Sequence, residues 1–451
     1  LYSATGRQAI AAARGFVAEQ KFPPTADGIR QARQAIRALP PEHVARKVAD
    51  EGAEPRVWIQ SRGEKRVGDG FVPKVDAWEE HVDWADVIVF DDVEWGETCE
   101  ALRARGKAVV GGSRYADRLE LDRDFGQAEM KAAGMTTLPS WDFDSFDAAL
   151  AFVKANPGRY VVKPNGEAQN EKVLSYVGQD EDGEDVVHML EFFRRGWSGK
   201  LLGFQVQKHA TGVEVAVGAY FNGKRFLLPA CVNFEHKKLF DGEIGPSTGE
   251  MGTSMFWTEA NALVRETILR FEAPLARSGY TGYFDLNCIA SSRGIVPLEA
   301  TCRFGYPTID IQLDGVLSPW SDFLAAQARG DDFELRTRRG FQVGVVVAVP
   351  PYPFDDPKAF KKYAEDAVVL WRKPMTEGIH PCDVRRNATG DWLLTGTSGY
   401  ALVVTGTAST MADAKREAYA RVRNVMIPNM FYRTDISDRW ARDGDLLQSW
   451  G

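Results

Sequence analysis

Thr281-Gly-Tyr-Phe-Asp-Leu-Asn-Cys-Ile-Ala-Ser-Ser-Arg-Gly-Ile-Val-Pro-Leu-Glu-Ala-Thr-Cys-Arg-Phe-Gly-Tyr-Pro-Thr308 is the stretch around which the rest of the chain is arranged. Two runs, Thr281 to Ala290 and Gly294 to Cys302, flank the polar turn Ser291-Ser292-Arg293-Gly294, the pattern of two antiparallel strands. Side chains two apart share a face of a strand, so Asp285 and Asn287 point one way, as do Glu299 and Thr301. If those faces coincide, two carboxylates and two neutral oxygen donors converge in an otherwise apolar hairpin. Buried carboxylates without a counter-charge are costly, so the pair asks for a cation. An all-oxygen set suits Mg²⁺, which usually arrives with phosphates. A second reading stands beside the first: Glu299 pairs with the nearby Arg303 as a structural salt bridge.

The 451 residues are 44% hydrophobic and 26% charged, an ordinary globular composition long enough for two to four domains with substantial cores. No run of about 18 apolar residues occurs, so no membrane span is expected. A formal net charge of -8 leaves no electrostatic footprint for nucleic acid. A small anionic substrate in a local basic pocket stays compatible with it. The five cysteines are scattered, odd in number and without metal-site spacing, and read as reduced thiols of a cytoplasmic protein. The chain begins at Leu1, and its first residues show no apolar core resembling a signal peptide.

Residues 1–52 are Ala- and Arg-rich with helical periodicity, broken at Pro23-Pro24 and Pro40-Pro41. Short apolar runs then alternate with helical segments: Arg56-Val-Trp-Ile-Gln60, Asp86-Val-Ile-Val-Phe-Asp-Asp92 and Ala108-Val-Val-Gly-Gly112. That alternation predicts parallel strands of an open sheet. Asp91 and Asp92 end one strand, where such sheets place ligands, although acidic residues there also cap helices. A charged amphipathic helix is predicted from Asp117 to Ala133, and a capped helix from Ser145 to Lys154. Tyr160-Val-Val-Lys-Pro164 is a short strand carrying one lysine, which on its own is expected to reach solvent. The polar residues 165–171 after it form a loop of the type that closes over phosphates. Gly203 to Lys208 and Val213 to Phe221 read as a strand pair, and Asn222-Gly223 as a hairpin turn. Asn233-Phe-Glu-His-Lys-Lys238 and Gly245-Pro-Ser-Thr-Gly-Glu-Met-Gly252 offer cations and a glycine-rich turn fit for an anion nest, though the glycines could serve tight turns alone. Phe341 to Val349 and Gly399 to Thr405 are β-rich, Met411 to Arg423 is helical, and this end reads as a separate α+β module.

The order of these pieces resembles the ATP-grasp superfamily, and within it the phosphoribosylamine–glycine ligase family, from about Trp84 to Arg439. His236-Lys237-Lys238 and the Gly245–Gly252 loop are similar to the family's His-Lys-Arg and Gly-Pro-Asn-Thr-Gly-Gly-Met-Gly. Glu299-Ala-Thr-Cys-Arg-Phe-Gly-Tyr-Pro307 resembles its Glu-Phe-Asn-Cys-Arg-Phe-Gly-Asp-Pro. Phe431-Tyr-Arg-Thr-Asp-Ile436 is similar to its closing Tyr/Phe-Arg-x-Asp-Ile stretch. The resemblance implies an α/β and α+β multidomain chain: a helical segment over 1–52, an open parallel α/β domain over 53–135, an ATP-grasp domain over 136–330 with subdomains 136–202 and 203–330, and a C-terminal α+β domain over 331–451.

It also implies a carboxylate–amine ligase that uses ATP and Mg²⁺, with Mn²⁺ as the substitute ion, through an acyl phosphate. The expected partners are small molecules, an amino acid and an amine, with neither nucleic acid nor membrane, on a monomer or dimer. Arg123 and Lys163 are expected on the nucleotide phosphates, and Gln207 and Glu214 around adenine and ribose. Glu299 and Thr301 occupy the family's metal positions, and strand geometry adds Asp285. His236, Lys237, Lys238, Ser247, Thr248, Gly249 and Glu250 are expected at the substrate, with Arg303 clamping a carboxylate or acyl phosphate. Several positions depart from the pattern. Thr301 replaces an asparagine, Ser247 and Glu250 an asparagine and a glycine, and Tyr306 an aspartate. Gln207 and Lys208 stand where glutamates are common, and the N-terminal glycine-rich turn is not visible in residues 1–52. A carboxylate at Glu250 would repel a phosphate and attract an amine. The resemblance makes ligation of glycine to phosphoribosylamine the leading expectation, while the loop with Ser247 and Glu250 favours a changed amine. Another amino acid and amine, or a nucleotide-binding scaffold without catalysis, are the alternatives.

Overall fold

A computed structural model describes residues 42–164, 175–197 and 203–450. The phosphate-loop expectation (165–171) and most of the helical segment predicted over 1–52 lie outside them; within that segment, Glu42–Asp50 is a helix. The strands, in chain order, fall into a few sheets. β1 (Ile88–Val89) and β2 (Val109–Val110) are a parallel pair. Val57, in the expected strand 56–60, makes one isolated parallel bridge to Lys74. Among the described residues the open parallel sheet is thus reduced to this pair and one bridge, and the surrounding apolar residues pack by side chain instead, with Val57, Ile59, Val67 and Val72 in one small cluster.

β3 (Ser140–Phe143), β4 (Tyr160–Pro164), β5 (Tyr176–Val177) and β6 (Phe204–Lys208) form a four-stranded sheet in the order β3-β6-β4-β5. Their alternation separates two faces. Tyr160, Val162, Phe204 and Val206 pack with Phe146, Leu150, Leu190 and Phe193 of the covering helices Phe146–Ala155 and Glu184–Trp197. Lys163, Gln205 and Gln207 therefore point to the other face.

β7 (Val213–Phe221), β8 (Phe226–Glu235), the β9 (Lys238–Phe240) and β10 (Ile244–Ser247) pair, β11 (Gly252–Thr258), β12 (Gly282–Ser291) and β13 (Gly294–Thr301) follow. The C-terminal third adds β14 (Phe341–Val347), β15 (Val368–Trp371), β16 (Ile379–Pro381), β17 (Val384–Arg386), β18 (Trp392–Leu394), β19 (Leu402–Ala408) and β20 (Val425–Met426). One eight-stranded sheet runs β13-β12-β7-β8-β11-β14-β19-β16, and β17-β18-β15-β20 form another. The expected module boundary at 330 thus falls inside a continuous sheet, because β14 pairs with the edge β11 would otherwise leave open. Phe284, Leu286 and Cys288 join Val217, Ala219, Phe271 and Leu275 in the core behind the large sheet, where each Phe or Leu withdrawn from water contributes roughly 2 kcal/mol. The intervening Asp285 and Asn287 are left to the opposite face.

β6 and β7 are not the hairpin their spacing suggests. They belong to different sheets, and residues 209–212 cross from one to the other. Gly212 makes the crossing tight: a Cβ there would stand 2.2 Å from the Ala290 carbonyl oxygen. The helix expected over 117–133 is two, Arg114–Leu121 and Arg123–Ala132. Asp122 breaks it by leaving helical geometry and capping the second helix through the Phe125 amide.

Candidate active site

The two polar faces of the hairpin coincide through a register shift at Leu298, without which Asp285 would lie opposite Ala300. Asp285 lies opposite Thr301 and Asn287 opposite Glu299, so all four share one face. Across β7, Asp285 stands opposite Gly218 and Asn287 opposite Ala216, which in turn lies opposite Asn233 of β8. Gly218 is the residue this arrangement requires, since a Cβ there would lie 2.7 Å from Asp285 Oδ2 and closer still to the Tyr283 hydroxyl. Asn233 Nδ2 and the Tyr283 hydroxyl donate to Asp285 Oδ2 at 3.1 and 3.3 Å. Asp285 Oδ1 and Asn287 Oδ1 are buried acceptors with no hydrogen-bond partner among the described residues.

Lys237 reaches into this face, 3.2 Å from Glu214, 3.1 Å from Glu235 and 3.6 Å from Glu299. Burial alone would lower its pKa, but the three carboxylates outweigh burial and hold it well above the ordinary lysine value. One ammonium faces several carboxylates, so the group keeps excess negative charge. Burial pushes the Asp285 carboxyl well above its usual range, and the Glu235 charge adds to that. Excess negative charge together with two orphaned buried oxygens is the donor chemistry a hard divalent cation fits.

Facing it, Lys163 is half-buried rather than free in solvent as its strand alone suggests, and its Nζ donates to Gln207 Oε1 at 2.9 Å. Burial, and then the Arg123 charge, push its pKa down to about 8, while Glu299 and Glu214 act against them. Arg123 opens its helix, which Gln127 ties to β13 by donating to the Leu298 carbonyl at 2.9 Å, and its Nε is buried without a hydrogen-bond partner among the described residues. Lys163, Arg123, Gln207, Glu214, Lys237, Glu299 and Asp285 are thereby gathered from both sheets, with Thr301 across from Asp285.

Other expectations are redirected. Arg303 pairs with Glu120 at 3.2 Å and lies 3.8 Å from Asp92, while Glu299 turns to Lys237, so the expected Glu299–Arg303 bridge is replaced. Glu120 also accepts from the Cys302 amide at 2.6 Å, which sets the guanidinium just beyond the end of β13. Asp91 accepts from the Tyr306 hydroxyl at 3.1 Å, and burial pushes Asp91 up to about 6 and Asp92 to about 7. Both acids lie beyond the end of β1 beside Arg303 and Tyr306, and Asp92 Oδ1 accepts from the Val93 amide at 2.8 Å.

His236 does not face the substrate side. It is buried, it pairs with Glu243 through Nδ1 at 3.0 Å, and its Nε2 accepts from the Ser437 amide at 3.1 Å. Those partners assign the neutral Nδ1–H tautomer, and burial lowers its pKa accordingly. Arg433, fully buried, joins His236, Glu243, Asp435 and the Lys238 carbonyl, so the closing Phe431–Ile436 stretch anchors the 236–243 loop. Lys238 sits half-buried on β9 opposite Ser247. The Thr248 amide and hydroxyl both bond the Lys237 carbonyl, at 2.7 and 2.9 Å, and Gly249 is exposed. Glu250 is only 5% exposed and is driven well above the usual carboxylate range by burial and by Glu235. Its carboxyl is thus turned into the protein rather than presented to a substrate as expected. Asn233, Glu235 and Glu120 were not singled out from the sequence; the first two follow from period-two spacing on β8, Glu120 only from the fold.

A family model described as phosphoribosylglycinamide synthetase, ATP-grasp (A) domain, matches residues 121–309. The chain is 30% identical over 365 residues to a phosphoribosylamine–glycine ligase of Streptococcus suis, covering 77% of this chain and 82% of the relative. The chain belongs to the phosphoribosylamine–glycine ligase family. A second such ligase, of Streptococcus pneumoniae R6, is 25% identical over 422 residues, spanning 88% of this chain and 97% of that one. Among solved structures, the Thermotoga maritima phosphoribosylamine–glycine ligase superposes with a TM-score of 0.65 at 22% identity, covering 88% of this chain and 97% of that one. The biotin carboxylase domain of the Hydrogenobacter thermophilus 2-oxoglutarate carboxylase, in complex with MgADP, reaches 0.60 at 12% identity, covering 90% and 95%. Both share the ATP-grasp fold with this chain. ATP-grasp ligases use ATP and a divalent metal ion.

Proposed function

We propose that this chain joins glycine to phosphoribosylamine, using ATP to activate the glycine carboxylate as an acyl phosphate that the amine attacks. The observation that supports this reading is the approach of Lys163, from the small sheet, to Arg123 on the helix docked against β13 and to the Glu299 and Asp285 face of the large sheet. When bound, ATP supplies the phosphoryl group, and a divalent ion offsets the charge on its oxygens. Lys163 and Arg123 hold the phosphates, Gln207 fixes Lys163 and borders the nucleoside, and Glu214 bonds the ribose. Mg²⁺, with Mn²⁺ as substitute, is held by Glu299 and Asp285, joined by Asn287, with Thr301 at the edge. Arg303, its plane set by Glu120 and the Phe304 carbonyl, orients the carboxylate and then the acyl phosphate. Phosphoryl transfer depends mainly on positioning and charge stabilisation, so no protein nucleophile is required.

One observation favours a second reading in which the amine differs. A cavity of about 980 Å³ reaches Asp91 and Asp92 and is lined by Trp58, Trp78, Trp84 and Trp95, a surface suited to an amine with an apolar body. Phosphate release from Mg²⁺–ATP, measured with glycine and with or without phosphoribosylamine generated in place, followed by mass detection, separates the two. Release that needs both substrates and gives the glycinamide ribonucleotide mass supports the first. Release with glycine that ignores phosphoribosylamine supports the second, and no release under any pairing overturns both.

A further inference from the structure

Away from the cleft, three buried side chains of metal-binding type meet. His43 on the helix Glu42–Asp50, Asp310 on the helix Thr308–Gly315 and Cys382 just after β16 are 7%, 0% and 0% exposed. One ligand atom of each lies within 4.8 Å of the others. A fourth side chain stands beside them: His380 Nδ1 is 3.8 Å from Asp310 Oδ1.

The surroundings of His380 are those of a ligand. Its Nε2 donates to Asp314 Oδ2 at 2.9 Å, which leaves the Nδ1 lone pair directed at Asp310, and a carboxylate behind an imidazole is the usual support of a metal-bound histidine. Asp314 in turn accepts from the Thr405 hydroxyl. Asp310 Oδ1 contacts His43, yet its second oxygen, Oδ2, is buried without any hydrogen-bond partner among the described residues. A fully buried carboxylate oxygen left in this state is costly unless a cation satisfies it.

We propose that His43, Asp310, Cys382 and His380 bind one Zn²⁺ ion that ties the helix Glu42–Asp50 to the C-terminal half of the large sheet. The donor set decides the metal. A thiolate and imidazoles with one carboxylate suit zinc, whereas Mg²⁺ takes oxygen ligands. Tetrahedral Zn–N and Zn–S bonds of about 2.0 and 2.3 Å put ligand atoms roughly 3.5 Å apart, so the ion would open the direct His43–Asp310 contact and draw the other ligands in. Four protein ligands close the shell, which makes the site structural rather than catalytic. On binding, the Cys382 thiol loses its proton to solvent as the Zn–S bond forms, and the histidines coordinate as neutral imidazoles. The cluster is separate from the carboxylates of the cleft, so it does not depend on the proposed reaction.

The full chain, purified without chelator and with zinc in the medium, is expected to carry about one zinc per chain by elemental analysis. Cys382→Ser and His43→Ala should bring that content to background, while Glu299→Gln leaves it intact. Chelator-stripped protein titrated with Co²⁺ should develop a near-ultraviolet thiolate-to-metal charge-transfer band that Cys382→Ser lacks. Zinc should raise the Tm of stripped wild type and not that of Cys382→Ser, whose circular dichroism in chelator should match wild type. A zinc-free protein that gives no such band with Co²⁺ overturns the proposal and leaves a plain buried His43–Asp310 pair. Zinc that persists in Cys382→Ser, or that Glu299→Gln removes, overturns it as well.

Discussion

Asn287 and Glu299 stand opposite each other at the last regular rung of the β12–β13 ladder, immediately before a register shift that leaves Leu298 as the extra residue. The shift frees the Leu298 carbonyl for Gln127, so the hairpin that aims Glu299 also docks the helix that carries Arg123. The positions of Glu299 and of the helix carrying Arg123 are thus mechanically joined through one bulge.

Removing that carboxylate should stop the reaction without unfolding the chain. Glu299→Gln is expected to lower kcat by about 10²-fold or more. Its side chain is 55% exposed, so stability should move by less than about 0.5 kcal/mol. Steady-state phosphate release and a thermal melt on the same preparation test this. Near-wild-type turnover would remove Glu299 from the metal site.

Lys163 makes nucleotide binding sensitive to alkaline pH. Its folded pKa of about 8 lies below the ordinary lysine value of 10.5, so the charged form that would meet phosphate disappears as pH rises through about 8. ATP affinity should therefore weaken above that pH. Protein stability should move the opposite way, rising between about 8 and 10.5, because the unfolded chain binds more protons there. Lys163→Met should abolish the pH step in ATP affinity, as read by calorimetric titration at several pH values.

Asp285 predicts the reverse linkage for the cation. Its folded pKa is raised, so the native protein binds more protons than the unfolded chain above pH 3.8 and loses stability as pH rises through the folded value. A divalent ion binds the ionised form. Mg²⁺ affinity should rise over the same window, with proton release seen as a buffer-dependent heat of binding. Asp285→Asn should erase the buffer dependence, and its persistence there would move the proton to another group.

Arg303 combines fold and chemistry, and a double substitution separates them. Arg303→Met leaves Glu120 buried without its counter-charge and should cost about 3 kcal/mol or more. Adding Glu120→Gln removes the stranded charge and should restore most of the Tm. Activity should stay lost in both, because the carboxylate clamp is gone. Recovery of turnover in the double variant would reduce Arg303 to a structural role.

Much of this was legible in order along the chain. That Asp285 shares a face with Asn287 and Glu299 with Thr301, the Asn222-Gly223 turn and the helix Met411–Val422 follow from local periods and turn chemistry, whereas the bulge at Leu298 decided that the two faces coincide. The family motifs identified the fold and the chemistry for the same reason, since each is a short contiguous run of residues. Only the tertiary structure decided that β6 and β7 part into different sheets and that Lys163 is half-buried beside Gln207. It also decided that Arg303 takes Glu120 instead of Glu299, that Glu250 is hidden, and that His236 is an anchor. Each of those outcomes depends on a partner brought in from far along the chain, such as Glu120 for Arg303 or Ser437 for His236, and burial and charge pairing are set by that company rather than by sequence spacing.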